Sequence, residues 1–147
     1  MNELMNDIIH TADHFVENFS QDPVYTFIQK ESLDYSIESL VVVDELLDEL
    51  RSDLELDEDT LYNMSSMIGC YVFETARKNY GGEYLWVRNE EQPVLVAGRP
   101  DFQVSIRAWQ KVKGRLVNGK EDSIPFYIAG YQEHIDAAKK GDFIMIV

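Results

Sequence analysis

Cysteine is almost absent from this sequence, and its scarcity is the first constraint on the class of protein. The single cysteine, Cys70, excludes an intrachain disulfide, and its position within an apolar helical pattern predicts a small buried side chain. Long apolar runs are missing too, since no stretch approaches the roughly 20 apolar residues of a membrane-spanning helix. Residues 1–20 lack the basic start and the cleavage site of a secretory signal. We therefore expect a soluble, cytoplasmic protein that does not bind membranes.

The motifs of common enzymes are also missing. The sequence has no glycine-rich phosphate loop and no Gly-x-Ser-x-Gly nucleophile turn. Cys70 lies in the middle of a predicted helix, away from the helix N-terminus that would activate a thiol. Glu74 and Arg77 share a narrow polar strip of the same helix, where an internal ion pair is more often structural than catalytic. The sequence therefore indicates no catalytic residue and no cofactor, and we interpret the chain as a non-enzyme.

Two groups of potential metal ligands do not match known sites. His10 and His14 are one helical turn apart, with Asp7 and Glu17 on the same line. This line lies almost opposite the apolar face of its helix, so it would lack the buried groups that orient metal ligands. The acidic residues in 53–59 differ from a calcium-binding loop because a glutamate stands where that loop needs a sharp-turn glycine. We expect no metal site.

Basic residues are few, and their shortage dominates the electrostatics. The chain has 13 Lys and Arg against 27 Asp and Glu, which gives a formal net charge of −14. Such a charge repels nucleic acid and attracts basic partners, although solubility alone is an equal explanation. The acids are most concentrated over residues 44–59, where Arg51 is the one basic residue. These nine acidic residues are Asp44, Glu45, Asp48, Glu49, Asp53, Glu55, Asp57, Glu58 and Asp59.

Hydrophobic periodicity predicts five helices and a small sheet. Apolar residues spaced by three and four predict helices over 3–19, from a cap at Ser36 to about 54, over 60–79, from near Ser105 to Asn118, and from Asp122 or Ser123 to Gly141. Alternating residues over 84–97 predict a hairpin, and residues 143–147 predict a terminal strand. The expected fold is a single α+β domain over residues 1–147, with about five helices on a mainly antiparallel sheet of three or four strands.

The helix predicted over 60–79 is the centre of this fold because it is apolar on two sides. One stripe contains Leu61, Met64, Ile68, Tyr71 and Val72, and a second contains Tyr62, Gly69, Phe73 and Tyr80. We expect this helix to be largely enclosed, with the preceding acidic helix on one side and the strands on the other. A glycine in a helix interior costs about 1 kcal/mol relative to alanine, so Gly69 predicts the close approach of another backbone.

A family resemblance rests on several short segments of the chain. Leu33-Asp34-Tyr35-Ser36, Gly69-Cys70-Tyr71-Val72 with Glu74 and Arg77, Gly81-Gly82 with Trp86, and Asn118-Gly119 carry it. Over 33–127 the chain resembles a set of small, largely uncharacterised bacterial α+β proteins, of the immunity-protein type found in polymorphic toxin systems. The resemblance implies a protein that neutralises a secreted antibacterial toxin, and many such toxins are basic nucleases.

These observations lead to a binding hypothesis with two alternatives. We expect a basic protein partner, a toxin domain, to bind the acidic helix and the loop after it. The expected contact residues are Asp44, Glu45, Asp48, Glu49, Asp53, Asp57, Glu58 and Asp59. The first alternative is a structural or regulatory interaction domain without a toxin partner, which could be homodimeric if the basic segment 107–115 meets the acidic face of a second copy. The second alternative is an enzyme with an unrecognised site.

Overall fold

The computed structural model describes residues 2–147, which form one α+β domain of five α-helices and a four-stranded sheet. The helices are α1 (Glu3–Phe19), α2 (Ser39–Asp53), α3 (Glu58–Tyr80), α4 (Ala108–Asn118) and α5 (Ile124–Ala137). The strands are β1 (Glu83–Val87), β2 (Gln92–Ala97), β3 (Gln103–Ile106) and β4 (Phe143–Met145). Short 3-10 helices occupy Lys30–Ser32 and Lys120–Asp122. This architecture confirms the predicted fold class.

Polar side chains define where three of the helices begin. Asn2 Oδ1 accepts a hydrogen bond from the Leu4 amide, Asp57 Oδ1 accepts from the Thr60 amide, and Ser123 Oγ accepts from the Phe126 amide. Each bond satisfies one of the amide groups that the first turn of a helix leaves without an internal partner. At its other end α3 stops at Gly81, whose φ of 83° is the left-handed conformation expected of a glycine after a helix.

The sheet has the order β1-β2-β3-β4. Strands β1 and β2 form the predicted antiparallel hairpin, and β3 is antiparallel to β2. Strand β4 is parallel to β3, with Gln103 opposite Phe143. The C-terminal segment is therefore tied into the sheet, as its apolar composition predicted.

Helix α3 is the enclosed centre of the fold. Every residue from Ile68 to Ala76 is buried, and the helix packs mainly against α1 and α4. A Cβ atom at Gly69 would lie only 2.9 Å from Trp109 Cα. This distance confirms the predicted close approach and identifies α4 as the element that makes it.

One expectation about the surroundings of α3 is wrong. The acidic helix α2 packs chiefly against α4 and α5, and not along one side of α3. Its apolar residues Leu40, Val43, Leu46, Leu47 and Leu50 are all buried. Their periodicity identified the buried face of α2, but periodicity carries no information about which distant element covers that face.

Three predicted helix boundaries need correction. Ser36 Oγ accepts from the Ser39 amide as a cap should, but the regular part of α2 starts only at Ser39 because the first turn is closed by shorter i→i+3 bonds. Residues 103–106 form β3, so α4 begins at Ala108 and not near Ser105. Helix α5 ends at Ala137, before Gly141, because the Gly141 amide donates to Asp101 O and starts the alignment of β4 with β3.

Candidate protein-binding surface

Two of the acidic residues of α2 are held inside the molecule by Arg115 of α4. The Arg115 side chain is fully buried, and its Nε and Nη2 atoms donate to Asp44 Oδ1 and Oδ2 at 3.0 and 3.1 Å. Its Nη1 atom lies 2.8 Å from Asp48 Oδ1. Asp44 Oδ1 also accepts from the Ile124 amide at the start of α5, at 3.0 Å. The cluster thus joins α2, α4 and α5.

This cluster sets Asp44 and Asp48 apart from the other residues expected to face a partner. Their carboxylates are engaged by a buried guanidinium, and their side chains are 22% and 37% exposed. The hydrogen bond from Arg115 holds the pKa of the Asp48 carboxyl below its usual range. Asp44 therefore makes a structural contact, and Asp48 presents a partly exposed charge that is paired with Arg115.

Two further basic residues of the segment 107–115 are also paired within the chain. The Arg107 Nε atom is 2.6 Å from Glu90 Oε1, and the Lys111 Nζ atom is 2.8 Å from Asp122 Oδ1. With Arg115, three of the four bases in this segment therefore meet acids of their own chain, α2 included. Lys113 is the one base of the segment that has no ion pair in the described residues, which leaves little free positive charge for the acidic face of a second copy.

The rest of the acidic run remains free of ion pairs in residues 2–147. We call it the free acidic surface, and it consists of Glu45, Glu49, Asp53, Glu55, Asp57, Glu58 and Asp59, all of which are exposed. The first three are spaced by four residues and therefore lie on one line along α2. Arg51, the only base in this run, does not neutralise it, because its guanidinium donates to Leu116 O and Val117 O at the end of α4.

Two members of the free acidic surface make hydrogen bonds within the fold. Asp57 caps α3, and the bond from the Thr60 amide lowers the pKa of its carboxyl. Asp53 Oδ2 accepts from Tyr25 Oη at 3.3 Å. Both carboxylates are therefore fixed in position, which reduces the conformational entropy that a binding partner would have to remove.

A groove opens where the free acidic surface reaches α3. We call it the aromatic groove; it lies between α3, α4 and the turn joining β1 to β2, and it has a volume of about 1380 Å³. Its lining includes Glu58, Asp59, Tyr62, Ser65 and Trp109. Tyr62 is 58% exposed, and its ring meets the edge of Trp109 at a centroid distance of 6.1 Å. Trp86, which is 48% exposed, meets Trp109 at the same distance.

The sequence alone did not reveal this groove. Tyr62 was assigned to the second apolar stripe of the central helix and was expected to be enclosed. The structure buries Gly69 and Phe73 of that stripe, leaves Tyr80 half-buried and leaves Tyr62 exposed. The available signal was the position of Tyr62 in the first turns of α3, next to three consecutive acidic residues.

Glu74 forms a second buried polar cluster, away from both surfaces. Its side chain is 1% exposed and accepts from Arg77 Nε at 2.6 Å, Arg77 Nη2 at 2.9 Å and Tyr84 Oη at 2.8 Å. Burial, together with the charge of Glu74, raises the pKa of Tyr84. These contacts join α3 to β1, and Glu74 and Arg77 form an ion pair on the polar strip of the central helix.

The remaining candidates from the sequence occupy ordinary positions. Burial raises the pKa of the Cys70 thiol to about 11, which keeps it protonated at neutral pH. His14 and His10 are exposed on α1, and His14 pairs with Asn18. In the part of the chain that the structure describes, no three His, Cys, Asp or Glu side chains are grouped as metal ligands.

No family model, curated protein or solved structure gives a significant match to this chain. Among residues 2–147, none of the helices combines the length and the apolar character needed to cross a membrane.

Proposed function

We propose that this chain is a binding protein that associates with a basic protein partner through the free acidic surface. The observation that carries the proposal is the unequal pairing of charges. Arg115, Arg107 and Lys111 are used inside the fold, while seven of the nine acids between residues 44 and 59 have no ion-pair partner in the described structure. An acidic surface of this kind accelerates association with a basic partner and makes binding dependent on salt.

The partner class that the proposal favours is a basic antibacterial toxin domain, with this chain as its immunity protein. The support is the resemblance to immunity proteins together with the concentrated negative charge. An inhibitor of a toxin must associate quickly and dissociate slowly, and charge complementarity favours the first requirement while buried aromatic anchors favour the second. An interaction domain without a toxin partner shares the surface and differs in the identity of what it binds.

The first test concerns the surface. The variant Glu45→Gln/Glu49→Gln removes two charges from α2, and Glu133→Gln/Asp136→Asn removes two from exposed positions of α5 as a matched control. We expect the α2 variant to associate with the basic partner about tenfold more slowly than the unaltered chain at low salt. The α5 variant should change this association rate far less. Equal effects of the two variants would show that only the net charge matters and would contradict the proposed surface.

The second test concerns the partner. Co-expression with the domain encoded immediately upstream should rescue cells from its toxicity if the chain is an immunity protein. Rescue that survives in the α5 variant and fails in the α2 variant would link protection to the free acidic surface. Failure of rescue by the unaltered chain, combined with salt-sensitive binding to another basic protein, would favour the interaction-domain alternative.

A further inference from the structure

We propose that the aromatic groove binds an extended, arginine-bearing segment of the basic partner, with an arginine side chain stacked on Tyr62 and paired with Glu58 or Asp59. The inference rests on the proposed function and adds the site of the anchoring contact. It assigns a second task to the chain beyond charge attraction, namely selection of arginine over lysine.

The charges that line the groove favour a cation. Five acids and three bases line it, and two of the bases are already paired, Arg107 with Glu90 and Lys111 with Asp122. The charges left without an ion pair in the described structure are Glu58, Asp59 and Glu91 on one side and Lys113 on the other. The groove is therefore negative overall, and its negative end continues directly into the free acidic surface.

The exposed aromatic rings favour arginine among the cations. Tyr62 and Trp86 are 58% and 48% exposed, and both rings contact Trp109. A contiguous group of exposed apolar rings is typical of an interaction site. Tyr62 lies one helical turn after Glu58 and close to Asp59, so a group above the ring is also near a carboxylate. A guanidinium is planar, weakly hydrated and able to stack on an aromatic face while it donates to a carboxylate, whereas an ammonium is a compact hydrated charge.

One polar atom in the wall of the groove has no partner within the described residues. The Ser65 Oγ atom is buried and unbonded, although the next residue, Ser66, donates to Tyr62 O at 2.8 Å. The indole N–H of Trp109 is not a second case, because it is directed at the Cys70 thiol. Buried polar groups are normally satisfied, and this exception in the wall indicates a surface that is completed by something else. An extended segment carries free backbone carbonyl and amide groups that can serve Ser65 Oγ.

The size of the groove fits a peptide segment better than a small molecule. Its volume of about 1380 Å³ exceeds the roughly 300–1,000 Å³ of typical small-ligand sites. Its lining residues come from α3, α4 and the turn joining β1 to β2, and they include Glu58 and Asp59 as well as Lys113. The occupant is therefore a stretch of several residues.

The test uses two peptides of equal charge, hexa-arginine and hexa-lysine, as probes. The only two tryptophans of the chain, Trp86 and Trp109, belong to the aromatic cluster at the groove, so intrinsic fluorescence reports on it directly. We expect hexa-arginine to change the tryptophan emission and to bind about fivefold more tightly than hexa-lysine. Tyr62→Ala should abolish this preference, and Tyr62→Phe, which retains the ring, should keep it.

Matched variants separate the groove from the free acidic surface. Phe126→Ala removes another exposed aromatic ring, on α5, and should leave the arginine preference unchanged. Glu45→Gln/Glu49→Gln should weaken both peptides alike. Glu58→Gln/Asp59→Asn should weaken hexa-arginine more than hexa-lysine.

The outcomes distinguish this inference from the proposed function. Equal affinities for the two peptides, no change in tryptophan emission, or an unchanged preference in Tyr62→Ala would each overturn the groove proposal. If the α2 variant still slows association with the natural partner, the proposed function survives that failure. If instead the arginine preference holds and the α2 variant has no effect on the partner, the groove is the binding site and the free acidic surface is not.

Discussion

Two groups of acids on α2 carry the same charge but have different environments. Asp44 and Asp48 meet a fully buried arginine and connect three helices, whereas Glu45 and Glu49, their immediate neighbours in sequence, are exposed and unpaired in the described structure. A rotation of about 100° around a helix separates one role from the other. Acidic charge is therefore structural where α4 covers α2 and remains available for binding where it does not.

The largest effect on stability is expected from disrupting the buried cluster of Arg115, Asp44 and Asp48. Arg115→Met removes the buried guanidinium and leaves Asp44 without a counter-charge. Asp48 keeps only the exposed Lys120, whose Nζ atom lies 3.9 Å from Asp48 Oδ2. We expect the free energy of unfolding to fall by about 3 kcal/mol, at the low end for a broken buried pair because both carboxylates are partly hydrated. Urea titration measures the loss. A variant as stable as the parent would mean that the cluster does not connect the helices as described.

The next largest effect concerns the contact that positions α4, the helix that carries Arg115. In Gly69→Ala the added Cβ would lie 2.6 Å from Trp109 Cδ1 and 2.9 Å from Trp109 Cα. We expect a destabilisation of about 2 kcal/mol from overpacking, which exceeds the gain in helix propensity. Gly130→Ala in α5 is the control, because the nearest atom to its Cβ is 4.0 Å away. Thermal unfolding of both variants measures the difference, and Gly130→Ala should be as stable as the parent or slightly more stable.

Variants of Asp57 test whether an exposed acid of the free acidic surface also stabilises the fold. It caps α3 while remaining exposed, so Asp57→Ala should lower the midpoint of thermal unfolding by about 3 °C. Asp57→Asn keeps an acceptor at the cap and removes only the charge, so it should melt close to the parent. If both variants weaken partner binding equally, the charge of Asp57 contributes to the surface separately from its cap.

The pH dependence of stability should differ between the two groups of acids. The folded pKa of Asp48 is lowered by Arg115, so its stabilisation is present above the ordinary aspartate pKa of about 4 and is lost as pH falls through the lowered value. Asp48→Asn should therefore be less stable than the parent at neutral pH, and the difference should shrink as pH falls below about 4. Urea titrations across that range give the comparison, and a constant difference would contradict the assigned pairing.

The smallest effect on stability belongs to the open side. Glu45→Gln/Glu49→Gln should change the free energy of unfolding by no more than about 0.5 kcal/mol, because neither side chain has an ion-pair partner in the described chain. The same variant is expected to slow partner association, so it separates function from folding. A large loss of stability would show that these glutamates make structural contacts as Asp44 does, and it would contradict their assignment to the free acidic surface.

The fold was accessible from sequence wherever the signal is local. The apolar spacing in 3–19 and 60–79 predicted α1 and α3 because a helix repeats every 3.6 residues, whatever it packs against. The alternation in 84–97 predicted the hairpin for the same reason, with a period of two. At residues 102–109 the strand period of two overlaps the helix period of about 3.6. The spacing of Ile106 and Trp109 favoured a helix from near Ser105, but residues 103–106 pair with β2 as strand β3, so the helix starts later.

The candidate site was accessible only in part. The sequence located the acidic run and predicted the close approach of another backbone at Gly69. It did not distinguish Asp44 from Glu45, because both residues lie off the apolar stripe of α2. The apolar pattern also predicted that Tyr62 is buried. A stripe of apolar residues does not show how far along the helix the neighbouring elements extend. Both errors concern contacts between residues far apart in the chain.

By itself, the sequence of this protein determined its α+β class, its central helix, its excess of negative charge and the place where that charge is concentrated. These properties follow from composition and from short periods, which act within a few residues. The tertiary structure alone decided that Arg115 closes over Asp44 and Asp48, that β4 pairs in parallel with β3, and that Tyr62 faces a groove. Those outcomes depend on which surfaces meet across the fold, and a residue 71 positions away supplies the hydrogen bonds that decide the role of Asp44.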